Sequence, residues 1–525
     1  MSDSNLYIVP GTRFAQAEKI LLETGVYFTV LKTDEKVTDE IYYDTFDWRF
    51  YKSGHLLWSD SYGYHLARQN PASPEITLER PPGKRLKFYW DMPDGEFKDT
   101  IKSVASVRAL IAFARIKRRQ RRYRIVNDDE KTVCRLAVHH ISGSGKSNNP
   151  AACLFVQLFP LKGYVAEADQ VRKILLGQNA TLTDEHPVVK LLRETGFTPG
   201  DYSAKMDVAL AATESIKSAE LKILGHLLSV MQQNIPGIID DIDSEFLHDF
   251  RVSVRRTRSA LGQIKGVLPP GKVKSYRRFF KTLAKRTNRL RDLDVYLLNQ
   301  GNYQNMLPDF LKEHIDPMFA QLRMERSSEH KKVARLLRSN YCRQKMASWK
   351  RFLETSSRRK TDAIPQADEF ALSFAQSIIY NRFNSALACG QQITNESPDL
   401  DFHRLRIECK KLRYLLEFFS SLFPEKHRSR LGSQLKALQD NLGEYNDLCV
   451  QQSEMKKFIE QKPAGIKNSA SFAAAVGGLL TALRKRQQEN RKKFCRSFNA
   501  FSETKNVKLY EKLFPVHRPG IGGDS

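Results

Sequence analysis

The stretches His248–Leu261 (HDFRVSVRRTRSAL) and His403–Phe419 (HRLRIECKKLRYLLEFF) decide how this chain is read. Placing His248 over His403 aligns the chain on itself at a separation of 155 residues. His248, Arg251, Arg255, Arg256 and Arg258 then fall on His403, Arg406, Lys410, Lys411 and Arg413, so the pattern H-x2-R-x3-[RK]-[RK]-x-R occurs twice. The same offset, without a gap, sets Pro269 on Pro424, Lys281 on Lys436, Leu283 on Leu438 and Asp292-Leu293 on Asp447-Leu448. Ten matches within 45 residues are poorly explained by chance. They predict two similar helical bundles packed as a pseudo-twofold pair.

The repeat carries chemistry. At about 100° per residue, His248, Arg251, Arg255 and Arg258 share an arc of roughly 80°, beside an apolar stripe of Leu247, Phe250, Val254 and Leu261. One side of the helix is built to pack, and a line of cations runs along its border. A second helix, expected over Tyr276 to Leu290, spaces Lys281, Lys285 and Arg289 at i,i+4. Between His248 and Asp294 stand fourteen Lys or Arg and three Asp or Glu. Like charges at that spacing destabilise an isolated helix and persist more readily where an anion neutralises them. A lone charged stripe is usually only a solvated face. Its recurrence at matched positions favours a shared role, because guanidinium and imidazolium groups both donate hydrogen bonds to phosphate oxygens. Asp292 and Asp447 are read as groups that orient a cation or cap a helix end.

From Lys205 onward the pattern is helical almost throughout, with breaks expected at Pro236-Gly237, Pro269-Pro270-Gly271, Pro308, 356–365, Pro398, Pro424 and 463–465. Before about residue 200 the texture is mixed α/β. Short β-rich runs are read at 25–31, 40–43, 55–58, 75–78, 123–126, 132–138 and 153–159, with helices at 14–23 and 101–114 and a loop at 142–150. The two textures meet at GFTPGDYS, residues 196–203.

Composition sets the outer limits. A chain of 525 residues exceeds one core, and 41% hydrophobic residues suffice to fill several. The formal net charge of +26, from 85 Lys and Arg against 59 Asp and Glu, points to a polyanionic partner. Seven cysteines at wide spacing, without a CxxC, read as reduced thiols rather than a disulfide framework or a zinc site. MSDSNLYIVPG lacks a basic n-region and an apolar h-region, so no signal peptide is expected. The apolar stretch 472–483 is too short to cross a bilayer. The expectation is a cytoplasmic protein with no membrane partner and no cofactor.

The paired motifs, followed by LKALQDNLGEYNDL, resemble the two halves of a CHAD domain (conserved histidine α-helical domain), over about residues 205–512. The resemblance implies an all-α domain at 205–515, made of two pseudo-twofold-related four-helix bundles at about 205–355 and 365–515. It also implies that basic residues line a central groove that binds inorganic polyphosphate. Carried over residue by residue, the polyphosphate site would comprise His248, Arg251, Arg255, Arg256, Arg258 and Lys281, then His403, Arg406, Lys410, Lys411, Arg413 and Lys436. The first copy is richer in cations, since Asp440 stands where the first copy has Lys285.

In the N-terminal region, residues 1–200, YYDTFDWRFYKSGHLLW (Tyr42–Trp58) resembles a stretch of CYTH domains, the triphosphate tunnel family. ITLERPPG at Ile76 and RRQRRYRI at Arg118 follow in the same order. The resemblance implies an α+β antiparallel tunnel-like barrel, with Arg80, Arg119, Arg121 and Arg124 as anion contacts. The family's ExExK motif is absent, and the strands at 133–138 and 153–161 carry no acidic residue to hold Mg²⁺ or Mn²⁺. The domain is therefore read as a degenerate, noncatalytic tunnel, with Asp44 in a structural role. SGSGKS at 142–147 lacks the Gly and the following helix of a phosphate-binding loop. His139-His140 has no third ligand nearby and reads as a surface pair.

The expected function is noncatalytic polyphosphate binding, with recruitment to polyphosphate granules. The alternatives are a metal-dependent triphosphatase or polyphosphate-processing enzyme acting through the N-terminal domain, and a nucleic-acid binder. The last would normally interleave stacking aromatics with its cations, which this sequence does not. Neither oligomeric state nor chain-length preference can be read from the sequence.

Overall fold

A computed structural model describes residues 5–69, 76–79, 86–144, 151–358, 366–394, 396–460 and 469–515. The chain divides into two compact units, Met1–Ser203 and Ala204–Ser525.

Among the described residues the first unit has nine strands: β1 (Leu6–Val9), β2 (Thr29–Asp44), β3 (His55–Ser59), β4 (Gly63–Arg68), β5 (Ile76–Glu79), β6 (Ile111–Val126), β7 (Thr132–Ser144), β8 (Ala151–Pro160) and β9 (Thr181–Leu182). They form one sheet in the order β5-β4-β3-β2-β6-β7-β8-β1-β9, each neighbour antiparallel. Among the described residues no pairing joins β5 to β9. The runs expected at 25–31 and 40–43 prove to be parts of a single strand, β2, with a turn before it. The expected helix 101–114 is corrected as well. It spans Glu96–Ala105, and the chain then reverses through Ser106 at φ 52° and enters β6 at Ile111. Both 16-residue strands are rich in charge, which disguises them. Opposite charges face across the ladder at Asp34 and Arg122, Glu35 and Arg121, and Asp39 and Lys117, and Arg121 pairs with Glu35 at 3.2 Å. Helices Phe14–Thr24 and Val165–Gly177 cover one part of the sheet, burying Ala17, Ile20, Val171 and Leu175 against Ile125, Leu136 and Val156.

The second unit is helical. Its helix starts repeat the offset found in the sequence: Ile216–Ile239, Ser244–Gln263 and Pro270–Arg286 begin 155 residues before Ala371–Gln391, Asp399–Phe418 and Glu425–Glu460. Ser215 and Phe370, equivalent residues that precede the first helix of each copy, form an antiparallel bridge. Helices Asp316–Arg338 and Ser469–Phe501 then share one core, with Met318, Phe319 and Leu322 packed among Phe472, Val476, Leu479 and Leu483. The apolar stretch at 472–483 is thus interior packing. Among the described residues no helix is long and apolar enough to cross a membrane.

Two expected features differ. The helix does not stop at Pro236-Gly237 but runs on to Ile239. Gly237 serves close approach instead of a turn, because a Cβ there would lie 2.2 Å from the Phe246 ring. The helix expected over Tyr276 to Leu290 breaks at Thr287, and Arg289 belongs to the next helix, Asn288–Leu298. The breaks at 359–365 and 463–465 lie outside the described residues.

Candidate functional site

Ser244–Gln263 and Asp399–Phe418, called below the His248 and His403 helices, carry the two cation stripes. The first is started by Asp243, whose carboxylate accepts from the backbone N–H groups of Glu245 and Phe246. Leu247, Phe250, Val254 and Leu261 are buried as the period predicts. The two helices pack on each other. Arg256 crosses to Glu417, donating at 2.7 and 3.0 Å, and also donates to the Ala204 carbonyl at 2.9 Å. Gln263 donates to the Lys411 carbonyl at 3.2 Å.

This packing brings the stripes within electrostatic reach of each other. Arg255 acts electrostatically on both Arg406 and Lys410, and Arg255 and Lys410 are themselves equivalent positions. Neither has a carboxylate partner within 4 Å among the described residues. The Nε groups of Arg255 and Arg406 are buried and donate to no described atom. Burial, then the charges of Arg406, Arg255 and Arg413, pulls the Lys410 ammonium down to about 7. Burial, then Arg255, pulls Arg251 down to about 10.

The two arginines are held from behind by different groups. Arg251 donates to the Ala284 carbonyl at 2.9 Å, to Thr287 Oγ1 at 2.7 Å and to Asn288 Oδ1 at 2.6 Å. Asp292 lies in its electrostatic reach. Arg406, its equivalent, meets Asp447 at 3.6 Å. Of the two aspartates read as orienting a cation or capping a helix end, Asp447 contacts Arg406, while Asp292 acts on Arg251 through its charge alone. The helix break at Thr287 is part of this support, since it exposes the carbonyl and hydroxyl that fix Arg251.

Not every predicted residue points into this cluster. Arg256 and Lys411 do not: Arg256 ties the helices together, and Lys411 is paired with Glu408 on its own helix at 2.6 Å. Arg413 is drawn to Glu417 at 3.4 Å and Lys436, exposed, to Asp440 at 3.2 Å. His403 shares a 3.0 Å hydrogen bond between Nδ1 and Asn446 Oδ1, and His248 is half-buried at the matching position. Arg258 and Lys281 line a neighbouring cleft. Arg289 is taken up by Glu325 and Glu454, both at 2.6 Å.

The sheet unit holds a separate cavity of about 290 Å³ against β2, β3, β4, β6, β7 and β8. Arg118 and Arg122 line it, alternating along β6 with Arg119 and Arg121, which turn away. Arg121 meets Glu35 at 3.2 Å and Arg119 lies 3.9 Å from it, while Arg124 donates to Thr132 Oγ1. Arg119, Arg121 and Arg124 are therefore not the cavity arginines. Arg80 lies outside the described residues. Arg118 is locked by Glu40 at 2.7 Å and Tyr42 OH at 2.9 Å. His139 is buried and stacked on Phe155 with centroids 4.5 Å apart, so it is not a surface residue. Burial, then the Arg118 charge, pushes His139 far below its ordinary pKa and His186 down to about 3, leaving both rings neutral. Asp44 accepts backbone N–H groups from Thr45, Phe50 and Tyr51 and so holds the turn into helix Arg49–Lys52. Ser142–Ser144 lie in β7 and strand β8, not a helix, begins at Ala151.

Comparison with known proteins places the helical unit. No curated protein matches the sequence. A crystal structure of the CHAD domain from the plant Ricinus communis is similar at 25% identity and a TM-score of 0.48, over 57% of this chain and 96% of that one. PptA from Streptomyces chartreusis is similar at 14% identity and a TM-score of 0.41, over 55% and 99% of the respective chains. The sequence model of the CHAD domain matches residues 222–456, which take in both cation stripes and the carboxylates behind them. The helical unit of this chain carries a CHAD domain.

Proposed function

We propose that the helical unit binds long-chain inorganic polyphosphate, without hydrolysing it, in the groove between the His248 and His403 helices. The single observation that carries the reading is the meeting of Arg255 with Lys410 and Arg406, all partly buried. Arg255 and Lys410 have no carboxylate partner within 4 Å among the described residues, and buried Nε donors remain unspent. Three like charges held together in a groove cost energy that a polyanion repays through charge-assisted hydrogen bonds. Repeated phosphates suit this arrangement because every oxygen accepts and none donates. The equivalent starts and the bridge between Ser215 and Phe370 support two four-helix bundles related by a pseudo-twofold, with the groove on that axis. The sheet unit is read as a degenerate CYTH-like tunnel that does no chemistry, and the whole protein as one recruited to polyphosphate granules.

The test is a titration of the full chain with long-chain polyphosphate at two salt concentrations, with RNA as competitor. The expected result is tight binding that weakens steeply with salt, by about 0.7 in log K per log salt for each phosphate engaged, as for a single-stranded polyanion. RNA at equal charge should not displace it, and Arg255→Gln/Lys410→Gln should lose it while staying folded. Displacement by RNA would make the groove a general polyanion site. Binding indifferent to both substitutions would leave the stripes as a solvated surface.

A further inference from the structure

Beside the central cluster lies a cleft of about 880 Å³ between the end of the His248 helix and helix Pro270–Arg286. Arg258, three residues after Arg255 on the same stripe, lines it. Among the described residues its walls carry six Lys or Arg and no carboxylate, and its floor is aliphatic, with Leu261, Ile264, Leu268 and Val273. None of those six cations has an acidic partner within 4 Å among the described residues. Arg277 lies flat against the His248 helix at Gly262, with Nη2 3.4 Å from where a Cβ would stand. Arg258 feels its charge. A low-dielectric floor under unpaired cations strengthens their field.

Lys281 continues the path. It lines this cleft and also a second one of about 900 Å³ on the other side, with Lys285, Arg286 and Arg335. Those three are likewise without an acidic partner within 4 Å among the described residues. The helix that carries Lys281 is held firmly from behind: Tyr276 and Phe280 pack on the fully buried Trp349 at 4.5 and 5.6 Å.

The second copy shows what the same elements look like without this path. At the 155-residue offset, Lys265, Lys274, Arg277 and Arg278 become Ser420, Ser429, Gly432 and Ser433, and Lys285 becomes Asp440. Of the two cations kept at matched positions, Arg413 shares Glu417 with Arg256 and Lys436 is paired with Asp440, while Lys426, Arg428 and Arg430 stand where the first copy has Gly271, Val273 and Ser275. Helix packing alone therefore does not require the first copy's charges, since matched helices form without them.

We propose that the polyphosphate track is one-sided: a long chain leaves the central cluster only through the first copy, past Arg258, Arg277 and Arg278, and over Lys281 toward Lys285. The inference rests on the polyphosphate reading above and adds to it a direction and a chain-length requirement. Short chains fill the central cluster alone, and only long chains reach the clefts.

The test compares size-fractionated short and long polyphosphate on the full chain. One variant is Lys274→Gln/Arg277→Gln/Arg278→Gln. Its charge-matched control in the second copy is Lys426→Gln/Arg428→Gln/Arg430→Gln. The first-copy variant should bind long chains roughly tenfold or more weakly and with a shallower salt slope, by up to about two, while short-chain binding stays at the wild-type level. The control should move neither. Equal losses for short and long chains, no loss for long chains, or an equal effect of the control would each overturn the one-sided track while leaving the central site intact. A wild-type protein that bound neither fraction would overturn the polyphosphate reading and the track with it.

Discussion

Ile216 and Ala371, equivalent residues of the two copies, each open a helix by donating a backbone N–H to the other copy. Ile216 donates to the Glu369 carbonyl and Ala371 to the Glu214 carbonyl, both at 2.8 Å. Glu214 and Glu369 are themselves equivalent, so the exchange is reciprocal, as in a twofold contact. Ala371→Pro isolates this bond. Proline is tolerated at the first position of a helix, and Phe370, at φ −64° and ψ 133°, already has the backbone that precedes proline. The substitution removes the N–H and crowds the Glu214 carbonyl, and should lower the stability of the helical unit by about 1–3 kcal/mol. Urea unfolding checks it, and an unchanged midpoint would show that the bridge holds nothing.

Arg255 and Arg256 are neighbours with opposite duties. Arg256→Ala removes a part-buried pair with Glu417 and a bond to Ala204, and should cost about 1–3 kcal/mol in stability. The folded fraction should keep most of its polyphosphate affinity. Arg255→Ala should leave the unfolding midpoint unchanged or raise it slightly, because it relieves repulsion from Arg406 and Lys410. Its affinity should fall tenfold or more, about 1.4 kcal/mol at least. Paired unfolding and binding measurements on both variants separate the two roles.

Lys410 makes affinity depend on pH near neutrality. It faces Arg406, Arg255, Arg413 and Asp447, and its ammonium is pulled down to about 7. A bound polyanion favours the protonated amine, so binding takes up a proton and affinity rises as pH falls. Between pH 6 and pH 8.5 the affinity should drop by up to about tenfold, for one charge lost. Lys410→Arg should abolish that slope and keep the low-pH affinity. The stability term has the reverse sense. Because the folded pKa is depressed, the group lends stability at high pH that is lost as pH falls from about 10.5 toward 7. A wild-type affinity that is flat with pH would remove Lys410 from the site.

Glu220 is fully buried on helix Ile216–Ile239, and neither carboxylate oxygen has a hydrogen-bond partner among the described residues. Burial alone raises its pKa well above the ordinary value. The folded protein thus holds a proton that the unfolded chain releases, so stability present below pH 4.5 is lost as pH climbs toward the folded pKa. The second copy has Ala375 at this position. Glu220→Gln should raise stability at pH 8 by about 1–3 kcal/mol and flatten its pH dependence. Denaturant titrations at pH 5 and pH 8 decide it. A destabilised variant at pH 8 would mean that the carboxylate is ionised and satisfied.

The helical unit was the more legible half because its two signals reinforce each other. The apolar period set the buried faces of the His248 helix, and the offset of 155 residues set the helix starts. The period could not reveal partners across space. It treated Arg251, Arg255 and Arg256 as one stripe, whereas Glu417 claims Arg256, and Thr287 and Asn288 position Arg251. Local chemistry also sets a break at Pro236-Gly237, where the helix instead continues and Gly237 packs closely on Phe246. In the sheet unit the obstacle was charge. Strands β2 and β6 face charged residues to each other across much of their ladder, which a search for apolar alternation does not detect. Alternation within β6 does separate Arg118 and Arg122 from Arg119 and Arg121, and could have assigned the cavity side.

Arg255 and Lys410 occupy one position twice over and lie within electrostatic reach of each other, so their shared surroundings belong to neither copy alone. A free-standing single copy could rebuild them only as a homodimer, and then both positions would have to change together. Joining the copies in one polypeptide lifts that constraint. One member of the pair is a guanidinium, while the other is an amine poised to gain or lose its proton near neutrality. The same freedom lets one flank keep its cations while the other gives them up for serine and glycine. Covalent linkage, in this chain, is what allows a twofold arrangement to have two unlike ends.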